Sequence, residues 1–409
     1  MLLIKNIGLL QTSVGTGCAC GIAQRENLKL RNAAILIERG KISEITSDGV
    51  LPACPRGIAE LDAKGLLVTP GLVDSHTHLV FGGWRQHEVQ LKLKGASYLE
   101  ILRAGGGILD TVRKTRAATE EELYNKSLRF LDEMLALGVT SVEAKSGYGL
   151  DLETELKQLR VLKALNQDHK VDIVSTFMGA HAVADEYAGN GNAYIDFVCE
   201  TVLPAVCEQG LASCCDVFCE DSVFNVEQSR KVLNCAKEHG LKLKIHADEI
   251  HAIGGAELAG EVGAISAEHL IATEEAGMAA LAKAGTVAVL LPQTSFYLAK
   301  QYAKAKRMIE LGIPVALASD FNPGSCPSLN LQFAVNLGYL GYGLQPEEVL
   351  TAVTRNAAYA IGLDKSVGTL EKGKQADIVI WDAPDFEMLC YRFGSNQVHS
   401  VIKKGEIVI

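Results

Sequence analysis

The chain has 409 residues, 48% of them hydrophobic and 22% charged, and carries a net charge of −10. That length suits a barrel of about 250–300 residues plus a smaller second unit, and the composition is that of a soluble globular protein. An acidic surface repels phosphate backbones and argues against nucleic acid as a partner. The start lacks a secretory leader and no run reaches about 18 apolar residues, so we expect a cytoplasmic protein with no membrane span.

Taken in chain order, residues 1–10 (MLLIKNIGLL) and 33–45 (AAILIERGKISEI) read as strands, the latter folded back at Arg39-Gly40-Lys41. The last segments, QADIVIWDAP and HSVIKKGEIVI, read the same way, with a turn at Lys404-Gly405. Chain termini tend to lie close together, so residues 1–67 plus 364–409 are expected to form one small β-sandwich domain. Between them, over 68–363, apolar β-branched runs recur at LLVTPGLVD, VTSVEAK, VDIVSTF, CDVFCE, LKLKIHA, GAISAEH, GTVAVLLP and IPVALASD. Helical patterns such as EELYNKSLRFLDEMLALG and VEQSRKVLNCAKEHG separate most of them, several ending in Gly as a helix C-cap does. Eight runs alternating with helices predict an α/β fold, a (β/α)8 TIM barrel. An open doubly wound sheet would want a phosphate loop. Residues 104–107 (AGGG) follow the helical-looking SYLEILRAG and lack G-x-G-x-x-G, so they read as a flexible loop and a candidate cover for the site.

The polar residues fall in a pattern. Strand one ends in Asp74-Ser75-His76-Thr77-His78. Lys145-Ser146-Gly147-Tyr148-Gly149 follows strand two, and Gly179-Ala180-His181 follows strand three. Strand five ends in His246-Ala247-Asp248-Glu249, strand six in Glu268-His269, and strand eight in Ser319-Asp320-Phe321-Asn322. In a barrel these all converge on the C-terminal face, where barrel enzymes place their chemistry. Alternate residues of an extended strand share a face, so His76 and His78 present two imidazoles together. H-x-H alone is a common structural accident. With His246 and Asp320 it becomes three nitrogens and one oxygen, a donor set for one divalent zinc or iron ion with room for water. Such an ion lowers the pKa of water from 15.7 to about 7, and Asp320 is placed to orient that water and take its proton. Strand four ends in Phe218-Cys219-Glu220, an acidic group that keeps a second metal site possible. The eleven cysteines lack paired C-x-x-C spacing and read as free thiols.

The segments PGLVDSHTHLVFGGWR, GASYLEILRAGGGI, EAKSGYGLD, FMGAHAVADEY, HADEIHAIGGAELAGEVGAISAEHL, LPQTSFYL and ALASDFNPGSCPSLN resemble the imidazolonepropionase family of the amidohydrolase superfamily, and the likeness runs over nearly the whole chain. The resemblance implies hydrolysis of the cyclic amide of 4-imidazolone-5-propanoate to N-formimidoyl-L-glutamate, by attack of a metal-held hydroxide on the ring carbonyl. It implies zinc or iron on His76, His78, His246 and Asp320, and suggests a homodimer. Matching substrate contacts are Arg85, Tyr148, His181, Glu249, His269, Asn322 and Gly324, with Ser325 beside them. Arg85 offers a planar fork to the propionate of this small anionic substrate. His181 and His269 would hydrogen-bond the carbonyl as charge develops, and Glu249, His269 and Asp320 form the proton-moving set. Tyr148 offers a hydroxyl on an apolar ring, and Asn322 with the Gly324 backbone holds the far end of the substrate. Trp84 and Cys326 depart from the expected pattern at the pocket lip.

Two other readings are weighed against this one. Another mononuclear hydrolase or aminohydrolase of a small neutral heterocycle would leave Arg85 idle. A scaffold protein that had lost catalysis should show damaged ligands, and all four are intact.

Overall fold

The computed structural model describes residues 1–95 and 105–409. Of the segments that carried the resemblance, most of GASYLEILRAGGGI, with the helical pattern SYLEILRAG, therefore lies outside the described residues.

Both chain ends build one mixed sheet. Its strands are β1 (Leu2–Ser13), β2 (Asn27–Glu38), β3 (Lys41–Thr46), β4 (Ala59–Asp62), β5 (Leu67–Pro70), β14 (Ile378–Trp381), β15 (Val398–Lys403) and β16 (Glu406–Ile407). They run in the order β16-β15-β14-β5-β1-β2-β3, with β4 also paired to β1. The two hairpin turns foreseen are present: Arg39 and Gly40 have φ of 51° and 77°, and Lys404 and Gly405 have 50° and 79°. Left-handed residue pairs of this kind match the twist of the flanking strands. Ile4, Ile7, Ile35, Ile378, Ile380 and Ile402 fill the sheet's own apolar core.

The barrel strands are β6 (Leu72–Asp74), β7 (Val139–Lys145), β8 (Asp172–Ala180), β9 (Cys214–Cys219), β10 (Lys242–Ala247), β11 (Ser266–His269), β12 (Val287–Leu290) and β13 (Val315–Leu317). Every neighbouring pair is parallel. A bridge between Thr77 and Phe321 brings the first and last strands together and closes the ring. The helix Glu120–Ala136 starts at a Thr119/Glu122 capping box and Val226–Glu238 at an Asn225/Gln228 box. The helices Gly255–Val262 and Glu275–Ala284 end on left-handed Gly263 and Gly285.

The run LLVTPGLVD divides. Leu67–Pro70 pairs with β14 in the terminal sheet, and Leu72–Asp74 begins the barrel. The hinge is Gly71, where a Cβ would lie 2.3 Å from Thr140 Oγ1, so only glycine fits between the two sheets. We propose Gly71 as the boundary between the two units. The buried Lys403 ammonium joins them again, 2.6 Å from Asp377 of the terminal sheet unit and 2.7 Å from Asp172 on β8. Two helices, Gly191–Phe197 and Leu203–Glu208, linked by a wider turn, stand between β8 and β9, where sequence patterning assigned nothing.

Candidate metal centre and active site

His76 and His78 lie just past β6 and are fully buried. Their backbone stays extended because it pairs with the segment after β13: Asp320 N donates to His76 O at 3.1 Å and His78 N donates to Phe321 O at 2.8 Å. The same ladder fixes Asp320, whose φ of 56° is left-handed. Non-glycine residues at positive φ cost of order 1–3 kcal/mol and persist where the surroundings hold them. Asp248, His269 and Leu270, at 51°, 69° and 57°, repeat this at the ends of β10 and β11.

The geometry brings the four expected ligands to one point. His78 Nε2 is 3.4 Å from His246 Nε2. Asp320 Oδ1 is 3.5 Å from His76 Nε2 and 3.7 Å from His78 Nε2. One nitrogen from each of His76, His78 and His246 lies within 4.8 Å of the others. Both ring nitrogens of His76 and Nδ1 of His78 are buried without a hydrogen-bond partner. Unpaired buried polar atoms cost about 1–3 kcal/mol each, and His76 Nε2, which lies 3.5 Å from Asp320 Oδ1 with no hydrogen-bond partner, is a nitrogen that a cation at this point would satisfy. Burial first, and then neighbouring positive groups, hold His76 and His78 well below the usual imidazole pKa, in the neutral form that ligates. The donor set fits a divalent ion.

Asp216, in the middle of β9, stands behind His246. Its Oδ1 accepts from His246 Nδ1 at 3.0 Å and from the His246 backbone N–H at 3.1 Å. This fixes the tautomer that turns Nε2 toward the centre. Burial alone would lower the His246 pKa, but the Asp216 charge and hydrogen bond outweigh it and raise it. Thr294 donates to Asp320 Oδ2 at 2.5 Å, leaving Oδ1 for the histidines. Sequence reasoning missed both supports. For Asp216 the available signal was a charged residue inside an almost wholly buried strand; Thr294, on the helix Pro292–Tyr297, carried none.

Around this centre, burial pushes the Glu249 carboxyl up to about 7, with Glu220 adding to the rise and His246 opposing it. Its Oε2 lies 3.6 Å from His269 Nε2, and burial lowers the His269 pKa to about 4. A carboxyl near 7 beside a neutral imidazole is a pair able to hold and pass a proton at neutral pH. His181 stacks on His78 at 4.9 Å, turned by Nδ1 contacting Gly147 O at 3.0 Å, and burial lowers its pKa to about 3. Tyr148 packs 5.3 Å from His181 and is buried.

Arg85 reaches the same mouth. Its Nε and Nη2 donate to the buried Glu88 carboxylate at 2.9 and 3.4 Å, and Glu88 Oε1 also accepts from Gly107 N at 2.7 Å. The Gly106-Gly107 segment is thereby tied to the arginine. The Nη1 edge lies over Gly324, where a Cβ would be 2.3 Å away. The Asn322 side chain folds its own loop: Oδ1 accepts from Gly324 N at 2.8 Å and Ser325 N at 2.7 Å, and Nδ2 donates to Asp320 O at 2.7 Å and Ser325 Oγ at 2.9 Å. Asn322 thus shapes the loop that carries Gly324 and Ser325. Glu220, the acidic group noted on strand four, accepts backbone N–H groups of Asp221, Ile250 and His251, which holds the loop after β10. Trp84 packs on Phe81, Phe130 and Phe321, and Cys326 is buried with Sγ 3.2 Å from Ser319 O, so both unusual residues serve packing. All eleven cysteines are free.

A family model described as the amidohydrolase family matches residues 67–408. The chain is 52% identical to the imidazolonepropionase of Alkaliphilus metalliredigens over 412 residues, covering 100% of this chain and 97% of that protein. It is 52% identical to the imidazolonepropionase of Treponema denticola over 377 residues, covering 91% of each. Among solved structures, 5-methylcytosine deaminase from Klebsiella pneumoniae superposes with a TM-score of 0.75 at 17% identity, over 100% of this chain and 98% of that one. E. coli guanine deaminase superposes with a TM-score of 0.72 at 14% identity, over 100% and 98% of the two chains. At these identities the structural likeness speaks for the fold alone.

Proposed function

The chain belongs to the imidazolonepropionase family of amidohydrolases, and from that premise we propose how it acts: water adds to the ring carbonyl of 4-imidazolone-5-propanoate, the ring C–N bond breaks, and the nitrogen takes a proton to give N-formimidoyl-L-glutamate. The observation that carries this reading is the meeting of His76, His78, His246 and Asp320 at one buried point, with Arg85 lying over Gly324, four residues past Asp320.

A single zinc or iron ion held by those four residues would supply Lewis acidity toward water and carbonyl together. The protein's own groups do the rest. Asp320 Oδ1 faces the centre and takes the first proton from water, while Thr294 holds its other oxygen. Glu249, poised near pH 7, carries a proton to the departing ring nitrogen. His269 and His181 are neutral donors placed for the oxygen on which charge develops. Arg85 binds the propionate, with the Gly324 backbone and Ser325 closing that end and Tyr148 packing on the ring. A carboxylate-binding arginine favours this acid over a neutral heterocycle.

Among the described residues no helix is long and apolar enough to cross a membrane. A cytoplasmic homodimer completes the proposal. The test is metal analysis of the purified protein with an ultraviolet assay for loss of the imidazolone. One equivalent of zinc or iron and substrate-dependent decay are expected. Turnover that survives complete metal removal would refute the reading.

A further inference from the structure

Below the mouth, the barrel interior holds a second set of groups suited to a cation. His76, Asp216 and Glu268 each offer an atom within 4.8 Å of the others, and all three are buried. His76 is common to this set and to the mouth set, and neither of its ring nitrogens has a hydrogen-bond partner. A cation is already beside it. The Lys145 ammonium, also buried, lies 2.8 Å from Asp216 Oδ2 and 2.7 Å from Glu143 Oε1.

Strand geometry puts it there. Glu143 and Lys145 are alternate residues of β7 and point the same way, into the barrel. Asp216 on β9 and Glu268 on β11 enter the same layer from the other side. Lys244 Nζ, 2.9 Å from Glu268 Oε1, is the other ammonium of the group. Three carboxylates therefore meet two ammoniums. Without Lys145 the buried group would hold three carboxylates against one ammonium, an excess of two negative charges that a divalent ion would cancel.

We propose that the Lys145 ammonium stands in for a second metal ion in the barrel interior and thereby confines the protein to one divalent ion at the mouth. Lys145 is a positioning residue. By holding Asp216 Oδ2 it leaves Oδ1 to orient His246, and it keeps a soft-shelled cation from sinking between His76 and the carboxylates. This rests on the one-ion reading of the mouth site given above.

The test loads wild type and Lys145→Ala with excess zinc, removes unbound ion by gel filtration, counts the metal and locates it by anomalous diffraction. Wild type should hold one ion, at His76, His78, His246 and Asp320. Lys145→Ala should hold an ion among His76, Asp216 and Glu268, raising the count from one to two or moving the single ion inward. Lys145→Ala/Asp216→Asn should lose that interior ion. Lys145→Ala with zinc at the mouth alone overturns the proposal, as does an interior ion in wild type. No ion anywhere in wild type would instead strike the mouth reading. If Lys145→Ala does not fold unaided, refolding across a zinc series is the readout. Recovery with zinc supports the proposal, and failure at every concentration counts against it.

Discussion

Gly324→Ala tests the placement of Arg85 without touching Arg85. An added Cβ would lie 2.3 Å from Nη1, 2.6 Å from Cζ and 2.9 Å from Nη2 of that arginine. All three separations are shorter than any relaxed contact, so the guanidinium must move. The Gly324 backbone is not in the left-handed region, so alanine strains nothing locally. The clash falls on the end of a flexible side chain, and overpacking typically costs about 1–3 kcal/mol. Substrate binding loses more selectively. A charge-assisted hydrogen-bond pair contributes roughly 1.5–3 kcal/mol, or about 10–150-fold in KM. Arg85→Met should raise KM by the same range. Steady-state kinetics on the two single variants and the double variant decide the matter. If both act through one guanidinium, the double variant should be little worse than Arg85→Met. An unchanged KM in Gly324→Ala, or fully additive effects, would refute the placement of the propionate at this edge.

Glu249→Gln should lower kcat by about 10²–10⁴-fold, the usual worth of a positioned proton carrier, while the metal content stays at the wild-type level. The same change should stabilise the metal-free protein at alkaline pH. The folded carboxyl sits near 7 against an ordinary 4.5, so folding opposes its ionisation. Wild type therefore loses stability as pH rises from about 4.5 through 7, and the gain from Gln grows over that window to an upper bound of about 3 kcal/mol. Urea melts of both proteins at pH 5 and pH 8 measure it, and an equal difference at the two values would contradict the assignment. His246→Ala should lose the metal, and full occupancy by elemental analysis would remove His246 from the ligand set. Gly71→Ala would set a Cβ 2.3 Å from Thr140 Oγ1 and 2.4 Å from its Cγ2, where a stiff β-branched side chain leaves little room. It should destabilise by about 1–3 kcal/mol in urea unfolding, and wild-type stability would show that the two sheets are not so closely joined there.

The proposed metal ligands were legible because their chemistry is written in residue type and in strand position. H-x-H at a strand end, a histidine closing strand five and an aspartate closing strand eight need only barrel topology to converge. The polar residues inside strands were harder to read. Glu143, Asp216 and Glu268 sit in short, almost wholly buried strands, where periodicity treats a charged residue as an interruption. Their partners Lys145, His246 and Lys244 lie on other strands or at alternate positions, tens of residues away in most cases. The division of LLVTPGLVD was also hidden, since both halves are apolar and β-branched and only the partner strands differ.

Most of the alternation of strands and helices, the two hairpin turns and the residue types of the proposed donor set follow from local pattern: side-chain periodicity, turn residues and ligand type are properties of short stretches. Which oxygen of Asp216 faces His246, why Arg85 leans on Gly324, and how far burial lifts Glu249 depend on groups that meet only after the barrel closes at Thr77 and Phe321. Electrostatics and steric fit act through space, so they were decided by the tertiary structure.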